Sequence, residues 1–139
     1  MKICFIVNNR SGRWDQCQDD LCGLSELPVL QETQDRPLRR VLADARREGY
    51  ERLVVAGGDG TVSRVANALS RHLDEFELAL IPTGTGNDLA RSIGVQGEPF
   101  EDICEWALNR PAVAIDLIKV SNGRSRLIAN AATAGGAQG

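Results

Sequence analysis

An apolar, β-branched run that empties into a glycine-rich turn and then an amphipathic helix constrains this chain more than any other feature. Val54-Val55-Ala56-Gly57-Gly58-Asp59-Gly60-Thr61 is such a run and turn, and Val62-Ser63-Arg64-Val65-Ala66-Asn67-Ala68-Leu69 continues it with helical character. Val62, Val65, Ala66 and Leu69 fall at i, i+3, i+4 and i+7, which makes one apolar face. Glycines at the turn permit positive φ and let backbone N–H groups approach an anion with no Cβ in the way. The helix N-terminus adds partial positive charge at the same place. Asp59 puts a carboxylate there, suited to holding Mg²⁺, taking a proton, or simply capping the helix. The stretch reads as a nucleotide-phosphate site with an acidic group built in.

The pattern recurs. Leu78-Ala79-Leu80-Ile81-Pro82 is a second apolar run, followed by Thr83-Gly84-Thr85-Gly86-Asn87-Asp88-Leu89-Ala90-Arg91. Asn87 or Asp88 suits an N-cap, since short polar side chains accept from the free N–H groups of a first turn. The hydroxyls of Thr83 and Thr85 suit phosphate oxygens or local backbone groups. One such turn can be a mere tight corner. Two at neighbouring strand ends face one crevice, because ligands of open α/β sheets bind beyond the carboxyl ends of the strands.

The rest of the pattern alternates between strand and helix. Strands are expected at residues 2–8, 27–33, 52–57 and 78–82, and helices at 37–48, 61–73, 87–93 and 99–109. Pro37 marks a helix start and Gly49 a helix end. Phe100, Ile103, Cys104 and Ala107 give the last helix an apolar face. Residues 13–26 fit a short helix or an irregular loop. The alternation predicts an α/β fold, a three-layer doubly wound parallel sheet with right-handed crossovers. From Ala112 the character changes. Residues 112–120 read as a long strand, Asn122-Gly123 as a hairpin turn, and Arg126 to Ala132 as the returning strand. The expected division is a nucleotide-binding α/β domain over 1–111 and, over 112–139, a hairpin that starts a further connection.

Composition bounds the function. The chain has 139 residues, 42% apolar and 25% charged, enough for one globular core. A net charge of −3 argues against nucleic acid as a partner. Arg36, Arg39, Arg40, Arg46 and Arg47 crowd one expected helix, which reads as a solvated face or, alternatively, an anionic-lipid patch. Cys4, Cys17, Cys22 and Cys104 show no C-x-x-C spacing and His72 is the sole histidine, so no zinc site is expected. Reduced thiols in the cytoplasm are the simplest expectation. Met1-Lys2 runs directly into Ile3–Val7, so no leader is expected, and no apolar run has the length needed to span a bilayer.

The pairing of GGDGT with PTGTGNDLAR resembles the catalytic domain of diacylglycerol kinases and related bacterial lipid kinases. These are similar to sphingosine kinases and, more remotely, to NAD kinases. The resemblance covers nearly the whole chain. Asn8-Asn9-Arg10-Ser11-Gly12 matches the family's N-P-x-S-G turn with Asn9 in place of proline, and Thr33 matches its nucleotide-contacting threonine. The resemblance implies an enzyme that binds ATP with Mg²⁺ and transfers the γ-phosphoryl group to a lipid hydroxyl such as that of diacylglycerol. The implied nucleotide site comprises Asn8, Ser11, Gly12, Thr33, Gly57, Gly58, Asp59, Gly60, Thr61, Arg64, Thr83, Gly84, Thr85, Asn87 and Asp88. Asp59 is the candidate catalytic base, and no metal ligands are assigned.

The chain departs from the family pattern in two further respects. Arg64 stands where the family usually has Glu, exchanging a negative for a positive charge near the phosphates. Family members also continue into a β-rich second domain, which does not follow here by Gly139. The 139 residues alone are therefore expected to transfer little phosphate to lipid. A cytoplasmic protein is expected, meeting its lipid acceptor at the membrane surface and self-associating through a strand edge near residues 126–132. Two alternatives stay open. One is a non-catalytic nucleotide-binding fragment or degenerate relative, and the other an NAD-kinase-like enzyme with a soluble dinucleotide acceptor.

Overall fold

All pairings in the main sheet are parallel, so every strand delivers its carboxyl end to the same edge. The computed structural model describes residues 1–7, 26–57, 59–82 and 97–112, together with the strand segments 118–121, 126–129, 133–134 and 137–138. Strands β1 (Ile3–Val7), β2 (Val29–Gln31), β3 (Arg52–Gly57) and β4 (Glu77–Pro82) form the sheet in the order β2-β1-β3-β4. One row, Leu30–Ile6–Val55–Leu80, crosses all four strands, and each strand ends within two residues beyond it. The chain runs from β1 outward to β2, then crosses back past β1 to β3. That reversal lies between β1 and β3, which is where an open α/β sheet leaves its crevice.

Side chains alternate across the two inner strands and divide the core in two. Phe5, Val7, Val54 and Ala56 face helix α3 (Phe100–Asn109), which contributes Ile103, Cys104 and Ala107. Cys4, Ile6, Leu53 and Val55 face the opposite layer. There, helix α1 (Leu38–Arg47) buries Leu38, Val41, Leu42 and Ala45, and helix α2 (Asp59–Leu69) buries Val65 and Leu69. The result is the expected three-layer α/β sandwich. Burial of this kind stabilises by roughly 1.5–3 kcal/mol per large apolar side chain. Burial also pushes the Cys4 thiol up to about 12, with the nearby Glu48 carboxylate adding to the effect. Cys4 is therefore a core residue and no nucleophile at neutral pH.

The boundaries differ from the sequence expectation in instructive ways. Helix α2 begins at Asp59, two residues earlier than expected, because the turn is tight enough for Asp59 and Gly60 to enter the first helical turn. A 3-10 segment, Ser70–Glu75, then carries it on to Phe76. Strand β2 spans three residues of the expected seven, as suits an exposed edge strand with Val29 at 44% accessibility. Phe100, expected on the buried face, opens α3 beside the exposed Gly97–Pro99 and stays largely exposed. Helix α1 ends as Gly49 suggests. Gly49, at φ 84°, donates to the Arg46 carbonyl and Tyr50 to that of Ala45, the paired bonds of a Schellman cap.

Strands β5 (Ile118–Ser121) and β6 (Arg126–Ala129) pair antiparallel with Ser121 opposite Arg126, so the chain returns from Arg126 as expected. Strand β6 runs beside α2. Strands β7 (Thr133–Ala134) and β8 (Ala137–Gln138) form a further short antiparallel pair. The expected helix at 87–93, residues 13–25 and the Asn122-Gly123 turn lie outside the described residues.

Three of the five arginines crowded on and just before α1, Arg36, Arg46 and Arg47, are paired with carboxylates. Asp44 pairs with Arg36 at 2.8 Å and Arg47 at 2.6 Å, and Glu75 with Arg46 at 2.9 Å. His72 also meets Glu75 at 2.5 Å. The hydrogen bond from Arg36, reinforced by Arg47, holds the Asp44 carboxyl below its ordinary value. Arg46 and then His72 do the same for Glu75. A depressed folded-state value means that the stabilisation is complete above the unfolded carboxylate value of about 4. It is lost as pH falls through the folded values. Thermal melts between pH 6 and pH 2 are expected to show an acid-limb decline that Asp44→Asn flattens. An identical pH dependence in that variant would refute this account.

Candidate functional site at the carboxyl edge of the sheet

Gly57 is the geometric key to this edge. A Cβ built on it would lie 2.5 Å from Thr61 Cβ and 2.9 Å from Thr61 Cγ2, and closer still to Oγ1. Its φ of 156° borders on ordinary extended backbone, so the close approach is what demands glycine. Thr61 is itself buried. The close approach seats the first turn of α2 directly on the end of β3. At Gly60 the Cβ direction meets no atom within 4 Å, leaving room above the turn. Unsatisfied N–H groups and the helix dipole together favour an anion there.

Beside this turn lies the end of β2. Glu32 donates its backbone N–H to the Val7 carbonyl at 2.7 Å, which ties it to the end of β1. Thr33 and Arg36 exchange backbone hydrogen bonds of 2.9 and 3.2 Å, closing a tight turn that holds Thr33 at the surface. The Glu32 carboxylate is buried. Its Oε2 accepts the Leu38 N–H at 3.3 Å, at the start of α1. Arg64 on α2 reaches the same carboxylate, Nη2 to Oε2 at 3.0 Å and Nη1 to Oε1 at 3.3 Å. A depression of about 460 Å³ opens here between the start of α1 and the second and third turns of α2, with Glu32, Leu38, Ser63, Arg64 and Asn67 in its wall.

The structure thus brings Thr33, Gly57, Asp59, Gly60, Thr61 and Arg64 to one edge, with Asp59 placed by its backbone. Asn8 follows directly on β1 and Thr83 on β4. Asn8, Ser11, Gly12, Gly58, Thr83, Gly84, Thr85, Asn87 and Asp88 lie outside the described residues. Glu32 was missed by sequence reasoning. Arg64 does not stand alone as a cation facing phosphate, since it is shared with Glu32. Among the described residues, no group of three or more His, Cys, Asp or Glu side chains is placed to hold a metal ion, and no helix is long and apolar enough to cross a membrane.

Parallel strands with a switch point between β1 and β3, and a helix that opens directly after β3, define an α/β fold. Residues 2–120 match the diacylglycerol kinase catalytic domain, and the chain belongs to that family. It is 43% identical over 110 residues to a probable lipid kinase YegS-like protein of Pseudomonas aeruginosa, covering 79% of this chain and 35% of that one. It is 36% identical over 141 residues to a Stenotrophomonas maltophilia protein of the same description, covering 94% of this chain and 45% of that one. The chain therefore spans under half the length of these relatives. Among solved structures it resembles a diacylglycerol kinase from Bacillus anthracis str. Sterne. The TM-score is 0.54 at 28% identity, over 76% of this chain and 38% of that one.

Proposed function

We propose that this chain is the nucleotide-binding part of a lipid kinase that transfers the γ-phosphoryl group of ATP to a lipid hydroxyl of the diacylglycerol type. The observation that carries the reading is the close approach of Thr61 to Gly57, which seats the first turn of α2 on the end of β3, while the Cβ direction at Gly60 stays open. ATP phosphates would lie against this helix N-terminus, and the threonine and glycine turn that follows β4 in the sequence is the second candidate contact. Mg²⁺ would supply charge neutralisation when bound with the nucleotide, and Asp59 would be the candidate carboxylate beside it. Phosphoryl transfer depends chiefly on positioning and charge stabilisation, which is what a glycine cradle and a helix N-terminus provide. The attacking hydroxyl also needs a positioned base, and Asp59 is the candidate within these residues.

Since the relatives are more than twice as long, the 139 residues by themselves are proposed to bind nucleotide without appreciable transfer. The acceptor would be met at a membrane surface, and an edge strand offers a route to self-association. Calorimetric titration of Mg-ATP against the chain and against Gly58→Asp tests the site. A carboxylate placed in the turn should repel phosphate and weaken binding by at least about tenfold, or 1.4 kcal/mol. Equal affinities would reject the assignment.

A further inference from the structure

The mechanism sketched above gives no role to Glu32, a buried carboxylate one residue before Thr33. Three separate elements converge on it. Its own backbone N–H is bonded to the end of β1, its Oε2 accepts the first N–H of α1, and both oxygens receive the Arg64 guanidinium from the second turn of α2. Arg64 is two-thirds buried in this pairing. The turn that presents Thr33 is thereby fastened, through one carboxylate, to the helix that the glycine cradle opens.

We propose that Glu32 and Arg64 act as one positioning unit that holds the Thr33–Arg36 turn in register with the N-terminus of α2, and so sets nucleotide affinity without touching the phosphates. The inference rests on the nucleotide reading given above. It differs sharply from the simpler idea that Arg64 neutralises phosphate directly. Were Arg64 a phosphate ligand, Glu32 would compete for it, and removing the carboxylate would release the guanidinium and strengthen binding. In a positioning unit, loss of either partner loses the whole effect, and the two losses do not add.

The test is a double-mutant cycle on the full 139-residue chain with Glu32→Gln, Arg64→Gln and the double variant, read by Mg-ATP calorimetry and by amide exchange at Arg36 and Leu38. Glutamine at position 32 removes the charge and puts an amide NH₂ where one acceptor oxygen stood, while its remaining oxygen can still serve the Leu38 N–H. Each single variant should bind Mg-ATP about three- to tenfold more weakly than wild type, and the double variant no more weakly than the worse single one. Tighter binding by Glu32→Gln, or losses that multiply, would overturn the proposal. A wild-type chain that does not bind Mg-ATP would overturn the nucleotide reading itself. The positioning unit is then judged by exchange alone. Faster exchange at Arg36 and Leu38 in both single variants supports it, and unchanged exchange defeats it.

Discussion

Gly57→Ala should destabilise the fold by about 3 kcal/mol, the upper end of the overpacking range, and should abolish Mg-ATP binding by whatever molecules remain folded. The added methyl would meet Thr61 Cβ at 2.5 Å, and the neighbour that must yield is a buried side chain in the first turn of a helix. Neither side has slack. The strand end is fixed by its pairing with β4, where Gly57 lies opposite Pro82. Relief therefore requires α2 to lift off the sheet, which removes the helix N-terminus from the crevice. Denaturant titration with Thr61→Gly as the second arm of a cycle isolates the clash. A coupling of about 1–3 kcal/mol in favour of the double variant is expected. A cost no greater than the ~0.5 kcal/mol of an ordinary surface change would show that the close approach is not the constraint described.

Arg52→Met should cost a similar amount for an unrelated reason, and at the other end of the sheet. Arg52 opens β3, is 5% accessible, and gives its guanidinium to three acceptors. Nε and Nη2 reach Glu77 Oε2 at 2.8 and 2.6 Å, Nη1 reaches the Ala107 carbonyl at 3.0 Å, and Nη2 reaches that of Arg110 at 2.8 Å. The two carbonyls belong to the carboxyl-terminal end of α3 and the residue after it, where helix carbonyls lack intrahelical partners. Losing a buried arginine strands those acceptors at roughly 1–3 kcal/mol each. Water reaches Glu77, a third exposed, and moderates its share. A net loss of about 3 kcal/mol is expected, with Arg52→Lys recovering part of it. Because Arg52 sits at the amino end of its strand, the affinity of the folded fraction for Mg-ATP should stay within about twofold of wild type. Stability within ~0.5 kcal/mol of wild type would show that the clamp is decorative.

Those two residues also mark what was and was not legible in the sequence. β3 is found over Arg52–Gly57 as expected, because a short apolar run with two central valines between charged residues and glycines admits few alternatives. Helix α1 differs from expectation by one residue at each end, since Pro37 and Gly49 act locally. The antiparallel return from Arg126 was legible from the Asn-Gly signal between two apolar runs, although the pairing of Ser121 with Arg126 leaves four residues between the strands where a two-residue turn was read. Glu32 and Arg52 are different. A charged residue in or beside a strand reads as a solvated position, and what buries each one is a partner from another element. Arg64 is 32 residues from Glu32, and Arg110 is 58 from Arg52. No periodicity encodes that. The Gly57–Thr61 contact falls between the two cases. The sequence pattern points to glycine there, and only the coordinates reveal that Thr61, rather than a ligand alone, excludes a side chain.

The strand order also bears on how the molecule comes into being. None of the three pairings in the main sheet is closed by a tight turn, and each neighbour of a strand is reached only through a crossover. Such distant closures must be paid for in chain entropy before they return any burial, and topologies dominated by them assemble slowly. Strand β1 is first in the chain and central in the sheet, yet it waits for β3 to cover its second flank. During synthesis, Cys4, Phe5, Ile6 and Val7 emerge early and stay without that flank until some fifty further residues have left the ribosome. The central position of β1 leaves the growing chain with an uncovered apolar strand until β3 arrives, the circumstance in which incomplete chains are prone to aggregate.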